Sequence, residues 1–223
     1  MNQFALDLSL EDSSNIQDFF VTKSNEEAFH HINSNPETLN NKCLILTGEE
    51  GSGKTHLCKI WQERNSAKYI NSTEELQNIV ENTQGEIEQN FIFEINPEKL
   101  SQTTEDFLFH LYNKIQEGQG ALLVTSPKPI FLISFKRKDL KSRLSSSTVV
   151  AILPPDDELL KAMFFKLFSD RQIAVSSELI EFLIPRIERN YKGVLQVIDM
   201  LDKSSIESKR SLTIPFAKQI LGL

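Results

Sequence analysis

The chain has 223 residues, of which 39% are hydrophobic and 25% are charged, enough for a core in one large or two small domains. Its net charge of −7 excludes a basic footprint over the whole surface and argues against strong direct binding to nucleic acid. No apolar run approaches the length of a membrane span, and the amino terminus does not continue into a signal-peptide core. We therefore expect a cytoplasmic protein with no membrane segment.

Residues up to about 153 predict helices alternating with strands. A capping box at Ser24–Glu27 predicts the start of a helix. Short apolar runs predict strands at 43–47, 67–70, 90–95, 121–125 and 148–153, and helical spacing predicts helices to about residue 64, from 73 to 80 and from 104 to 115. This alternation predicts a parallel sheet with helices on both faces and a ligand at the carboxyl ends of the strands.

The pattern changes after Pro154 and Pro155, where only helices are predicted. They cover residues 156–168, 177–189, 192–204 and 213–221. We therefore expect an amino-terminal flexible segment at 1–14, an α/β domain at 15–154 and a small all-α domain at 155–223. The two cysteines, Cys43 and Cys58, fall in the predicted strand and helix on either side of residues 48–55, and we expect reduced, buried thiols.

The segment Gly48–Thr55 fits the phosphate-binding pattern G-x-x-x-x-G-K-[ST]. A buried strand is predicted before it and a helix after it, which is the context that the pattern requires. Glycines let the backbone approach phosphate, and the helix amino terminus offers free N–H groups and a positive dipole end. Lys54 is expected to reach the β- and γ-phosphates, and Thr55 to hold Mg²⁺. The alternative is an ordinary glycine turn between a strand and a helix.

Four stretches, in order along the chain, resemble segments of the DnaA and Hda branch of the AAA+ proteins. They are residues 18–25, 48–55, 139–144, and 154–160 together with 166–172. The resemblance implies a P-loop AAA+ nucleotide-binding domain of α/β class followed by an all-α lid. It also implies ADP or ATP with Mg²⁺ as cofactors and DnaA as a partner. Copies of the chain itself are the alternative partner, because AAA+ modules usually assemble head to tail.

The same resemblance implies a nucleotide site made by several segments. Ser126 takes the place of sensor 1, with a turn-forming serine before Pro127 as the alternative. Lys192 takes the place of sensor 2, where an arginine is usual. Lysine is a point charge rather than a planar fork, so weaker discrimination between nucleotide states is expected. The full predicted set is Phe20, Val21, Asn25, Gly48, Gly51, Ser52, Gly53, Lys54, Thr55, His56, Ser126 and Lys192.

The third predicted strand ends in a degenerate Walker B segment. Glu94 stands at the position of the acid on the Mg²⁺ side, and Ile95 stands where the water-activating acid belongs. Isoleucine cannot accept a proton from water, so we predict feeble or absent intrinsic ATP hydrolysis. Two alternatives stay open: Glu94 is a solvated acid at a strand end, or Glu98 is a substitute base.

Two further features imply partners. Arg143 occupies the arginine-finger position and would act in trans on ATP held by DnaA, the alternative being a solvated basic face. The segment with Gln3, Phe4, Leu6 and Leu8 resembles the peptide that docks on the sliding clamp, the beta subunit of DNA polymerase III. A frayed terminus or an edge strand is the alternative there.

Three hypotheses of function follow. The first is a negative regulator of replication initiation that docks on the clamp and stimulates hydrolysis of DnaA-bound ATP. The second is an independent P-loop ATPase or small-molecule kinase. The third is a nucleotide-independent scaffold for replication proteins.

Overall fold

Five parallel strands form a single sheet in the computed structural model, which describes residues 19–83 and 85–222. The strands are β1 (Cys43–Thr47), β2 (Lys68–Ile70), β3 (Phe91–Glu94), β4 (Leu122–Ser126) and β5 (Thr148–Ala151). Their spatial order is β2-β3-β4-β1-β5, with β1 paired in register to β4 and β5. The five predicted strands are therefore confirmed, with ends shifted by no more than two residues.

Helices cover both faces of this sheet. They are α1 (Glu26–Asn33), α2 (Lys54–Asn65), α3 (Thr73–Asn82), α4 (Gln102–Glu117) and α5 (Lys138–Ser145). Cys43 and Ile45 of β1 belong to the core shared with α3, α4 and α5, whereas Leu44 and Leu46 belong to the core shared with α1 and α2. The alternation of side chains along β1 thus divides the apolar residues between two layers. Trp61, the only tryptophan, is fully buried on α2.

In this domain one local expectation is wrong and one helix was missed. Helix α1 begins at Glu26, and no side chain caps it, so the capping box predicted at Ser24 is wrong. The Ser24 hydroxyl instead lies 2.9 Å from the Thr22 hydroxyl, and Asn25 Oδ1 accepts the Thr22 N–H over 2.9 Å. Helix α5 was not predicted, because its polar sequence buries only Leu140 and Leu144.

The described part of the second domain contains four α-helices around a core of their own: α6 (Asp157–Asp170), α7 (Ser177–Leu183), α8 (Tyr191–Ser208) and α9 (Ile214–Leu221). Asp156 caps α6 by accepting the Leu159 N–H over 2.8 Å. The predicted helix at 177–189 is too long, since α7 ends at Leu183 and a 3₁₀ turn at Ile184–Arg186 contains the proline. Proline removes a backbone donor and breaks the α-helical ladder.

No helix in the described ranges is both long and apolar enough to cross a membrane. A cytoplasmic location stays a prediction. The clamp-like segment with Gln3, Phe4, Leu6 and Leu8 lies outside the described residues.

Candidate nucleotide site

The phosphate loop joins β1 to α2 at the carboxyl edge of the sheet. Gly51 and Gly53 have φ of +76° and +100°, a region that glycine adopts without a steric penalty. Lys54 Nζ donates to the carbonyl oxygens of Gly48 and Glu49 over 2.7 and 2.8 Å. Ser52 Oγ is buried and has no hydrogen-bond partner among the described residues. A phosphate oxygen in the loop would offer that hydroxyl an acceptor.

Lys54 is half-buried, and its surroundings shift its titration. Burial lowers the pKa of the Lys54 ammonium, and the carboxylates of Glu94 and Glu50 partly oppose that effect. Phosphate would be a stronger counter-charge than the two loop carbonyls that now accept its hydrogen bonds. Lys54 is thus placed to exchange its carbonyl partners for an anion.

A cavity of about 350 Å³ lies between the phosphate loop, residues 19–25 and the lid helices. Its volume falls in the range of small-molecule and cofactor sites. Most of the predicted nucleotide-binding residues line it: Phe20, Asn25, Gly51, Ser52, Gly53, Lys54, Thr55 and His56. The structure therefore brings together the segment before the P-loop and the P-loop itself around one space.

The four other predicted residues do not line this cavity. Val21 is exposed, Gly48 donates its N–H to the Ser126 carbonyl over 3.1 Å, and Lys192 is exposed at the start of α8. The Ser126 hydroxyl is fully buried and donates to the Lys128 carbonyl over 2.6 Å. Nucleotide contacts for these residues stay predictions.

Several lining residues were missed at the level of sequence. Leu159, Met163 and Leu167 follow one face of α6 at helical spacing. This spacing does not show whether the residues pack in the core of the lid or line a ligand cavity. Phe19 stacks on Phe29, with ring centroids 5.4 Å apart. The missed set is Phe19, Lys59, Leu159, Met163, Lys166, Leu167 and Tyr191.

Glu94 and Ile95 lie on opposite sides of the sheet. Glu94 is exposed at the end of β3, and its charge acts on Lys54, whereas the Ile95 side chain is fully buried in the core with α4. The Ile95 N–H donates to the Thr125 carbonyl over 2.8 Å. The position after Glu94 thus supplies apolar packing to the core and no proton acceptor.

Thr55 and Glu94 are the residues that would hold a magnesium ion bound together with a nucleotide. Thr55 lines the cavity, and both residues are exposed. Within 19–83 and 85–222, no cluster of three or more His, Cys, Asp or Glu residues is arranged to hold a metal. One hydroxyl and one carboxylate fit Mg²⁺, which usually keeps several waters and binds substrate phosphates.

Arg143 lies on α5, away from the cavity that this chain forms. It is exposed, and its guanidinium carbon lies 5.1 Å from the Phe109 ring centroid and 5.8 Å from that of Tyr112. It is absent from the residues that line the cavity. An arginine in this position is available to a second molecule.

The lid touches the phosphate loop through its backbone. The Tyr191 N–H donates to the Gly51 carbonyl over 3.4 Å. Two residues earlier, Arg189 donates to the Pro155 carbonyl over 3.0 and 2.8 Å and forms an ion pair of 2.6 Å with Asp157. Arg189 thereby ties the approach to α8 to the connection between the two domains.

Known proteins share this architecture. Domain III of the Thermotoga maritima replication initiation protein DnaA has a TM-score of 0.74 and 18% identity, over 95% of this chain and 97% of that one. AMPPCP-bound DnaA from Aquifex aeolicus has a TM-score of 0.68 and 15% identity, over 89% and 68% of the two chains. An uncharacterized protein of Haemophilus influenzae is 27% identical over 235 residues, covering 99% of each chain.

The α/β domain with its phosphate loop, followed by a helical lid, defines a AAA+ module. Residues 156–221 match the family described as "Hda, lid domain". The carboxyl-terminal domain is therefore similar to the lid of Hda, and the chain as a whole has the fold of DnaA domain III.

Proposed function

We propose that this protein binds ADP or ATP with Mg²⁺ and regulates replication initiation by stimulating hydrolysis of ATP bound to DnaA. The observation that carries the proposal is the position of Arg143, which is exposed on α5 and absent from the cavity wall. The Hda lid match and the DnaA-like fold support DnaA as the partner.

Nucleotide binding is supported by the phosphate loop and by relatives of the same fold. Two DnaA structures similar to this chain are bound to AMPPCP. The orphaned Ser52 hydroxyl and the left-handed Gly51 and Gly53 suit a phosphate at the loop. The apolar wall, with Phe19, Leu159 and Met163, suits a base.

Arg143 is proposed to act in trans. Phosphoryl transfer builds negative charge on the oxygens around the γ-phosphate, and a guanidinium placed against them stabilises the transition state. Among the described residues, no such arginine lines the cavity of this chain, and Ile95 supplies no base. We therefore expect this protein to turn over its own ATP feebly while it completes the site of DnaA.

Clamp docking is proposed from the sequence. Gln3 would enter a polar sub-pocket, while Phe4, Leu6 and Leu8 would enter an apolar groove. Docking would concentrate the regulator where clamps are loaded, because a tether raises the effective concentration of a second contact.

The test is hydrolysis of DnaA-bound ATP in the presence of clamp loaded on DNA. Wild type should stimulate hydrolysis, and Arg143→Ala should lose roughly 10³-fold of that stimulation. Lys138→Ala, which removes a charge from the same basic helix, is the matched control. Changing Gln3, Leu6 and Leu8 to Ala should weaken the stimulation that is measured with clamp loaded on DNA. It should leave any stimulation measured without clamp unchanged.

Two results would overturn parts of the proposal. Full stimulation by Arg143→Ala would refute the finger. Absence of stimulation by wild type, with nucleotide still bound, would refute DnaA as the target.

A further inference from the structure

One face of α4 contacts the segment that carries Arg143 near both of its ends. Glu105, Phe109 and Tyr112 are spaced four and three residues apart, so they share a face of the helix. Each contacts part of residues 136–147, which include α5 and its two ends. This face is distinct from the nucleotide cavity, which none of the three residues lines.

Glu105 fixes the start of α5. Glu105 is only 1% exposed, and its carboxylate accepts the backbone N–H groups of Lys136 and Arg137 over 3.1 and 2.6 Å. Helix α5 has no capping side chain of its own, so a carboxylate from α4 binds N–H groups just before it. The neighbouring Asp106 forms an ion pair with the Arg137 guanidinium.

Tyr112 fixes the end of α5. Its hydroxyl lies 3.2 Å from Ser147 Oγ and 3.4 Å from the carbonyl oxygen of Arg143. Ser147 Oγ also donates to the Arg143 carbonyl over 3.0 Å. The backbone of Arg143 is therefore held by hydrogen bonds to its carbonyl oxygen. The remaining conformational freedom of this residue lies in its long side chain.

Phe109 lies between the two anchors and beside two guanidinium groups. The Arg137 carbon lies 4.1 Å from the ring centroid, and the Arg143 carbon lies 5.1 Å from it. Asp106 compensates the charge of Arg137, whereas Arg143 has no ion pair within the described part of the chain. A ring attracts a guanidinium through its face and leaves the N–H edge free to bind an anion.

We propose that Phe109 is a positioning residue for Arg143, holding the guanidinium extended over α4 with its donors directed to a partner's phosphate. The inference rests on the proposed trans role of Arg143. Holding the side chain before the partner arrives reduces the conformational entropy lost on completing the site. Phe109 acts through Arg143 and touches neither nucleotide.

The test compares Phe109→Leu, which removes the ring, with Phe109→Tyr, which keeps it. Phe107→Leu is the matched control, because it removes a partly buried ring from the same helix at a position that packs on the core. Stimulated hydrolysis of DnaA-bound ATP is measured against regulator concentration. Phe109→Leu should lower the maximal rate roughly two- to five-fold with the half-saturating concentration unchanged, and Phe109→Tyr should restore it.

A second measurement needs this chain alone. The side-chain protons of Arg143 should show an upfield ring-current shift by NMR in wild type and Phe109→Tyr. Phe109→Leu should lose most of this shift, because only the more distant Tyr112 ring is left. Loss of the shift with an unchanged maximal rate would refute the positioning role, and so would an equal loss of rate in Phe107→Leu. Absence of stimulation by wild type would refute the proposed function instead. The ring-current shift would then still show whether Arg143 contacts the Phe109 ring.

Discussion

Tyr191, the first residue of α8, donates its backbone N–H to the carbonyl oxygen of Gly51 in the phosphate loop over 3.4 Å. The lid therefore contacts the loop through main-chain atoms, independently of the side chain at 191. Gly51 has a left-handed φ of +76°, so this carbonyl is directed by a conformation that other residues rarely adopt. A movement of α8 must therefore be accommodated by the phosphate loop itself.

Removal of the loop lysine should abolish nucleotide binding. Lys54→Ala removes the only side chain that now bridges the loop carbonyls of Gly48 and Glu49 among the described residues, and with it the expected phosphate ligand. ADP at one hundred times its Kd should stabilise wild type by about 2.7 kcal/mol and the variant not at all, as read from Tm. A wild-type Tm that ADP leaves unchanged would favour the nucleotide-independent scaffold.

An acid at position 95 should fail to restore hydrolysis. The Ile95 side chain is fully buried in the core with α4, so Ile95→Asp places a carboxyl group in apolar surroundings. We expect a loss of about 3 kcal/mol or more in the free energy of unfolding and no gain in ATP turnover. Denaturant unfolding and a steady-state ATPase assay check both. A folded variant that hydrolyses ATP rapidly would show that this position faces the nucleotide.

Loss of Arg189 should loosen the lid. Arg189→Ala removes two hydrogen bonds to the Pro155 carbonyl and the ion pair with Asp157. Because the group is partly exposed, we expect a cost of about 1 kcal/mol in unfolding free energy, together with weaker ADP binding. Arg186→Ala, on the adjacent turn and stacked on Phe182, is the control. Equal ADP affinity in both variants would contradict this role of Arg189.

The two thiols should be unreactive in the folded protein. Burial raises the pKa of both Cys43 and Cys58 from 9.0 to about 12. The unfolded chain releases these protons near pH 9 and the folded chain only near 12, so the free energy of unfolding should fall as pH rises through that interval. The fall should be smaller with both cysteines changed to Ala. Rapid labelling of native protein by a thiol reagent would contradict their burial.

The spacing of apolar residues and the positions of glycine and proline predicted most of the fold. Strand positions followed from short apolar runs, and the phosphate loop followed from glycines at fixed spacing before Lys54. Helix α5 could not be predicted in this way, because carboxylate and phenol groups on another helix hold it. These contacts join residues about 30 positions apart, so they cannot be predicted from the local sequence pattern.

The candidate site was predicted where its residues are close in sequence. Gly51–His56 form a continuous segment, whereas Met163 and Tyr191 reach the cavity only because the lid folds over it. Ile95 was singled out from the sequence because its side chain cannot accept a proton, and its role in hydrolysis stays a prediction. The burial of this side chain on the opposite side of the sheet from Glu94 could be established only from the structure. At the end of a strand too few neighbouring residues alternate to predict which face a side chain lies on.

Trp61 makes α2 optically visible without a label. Its ring is fully buried two helical turns after Lys54, and its indole N–H has no partner within the described residues. With no second tryptophan in the sequence, all indole emission originates from the helix that begins in the phosphate loop. The buried ring should emit at short wavelength in the nucleotide-free protein. A change in this emission on adding nucleotide would report movement of α2 in real time, without any substitution or label.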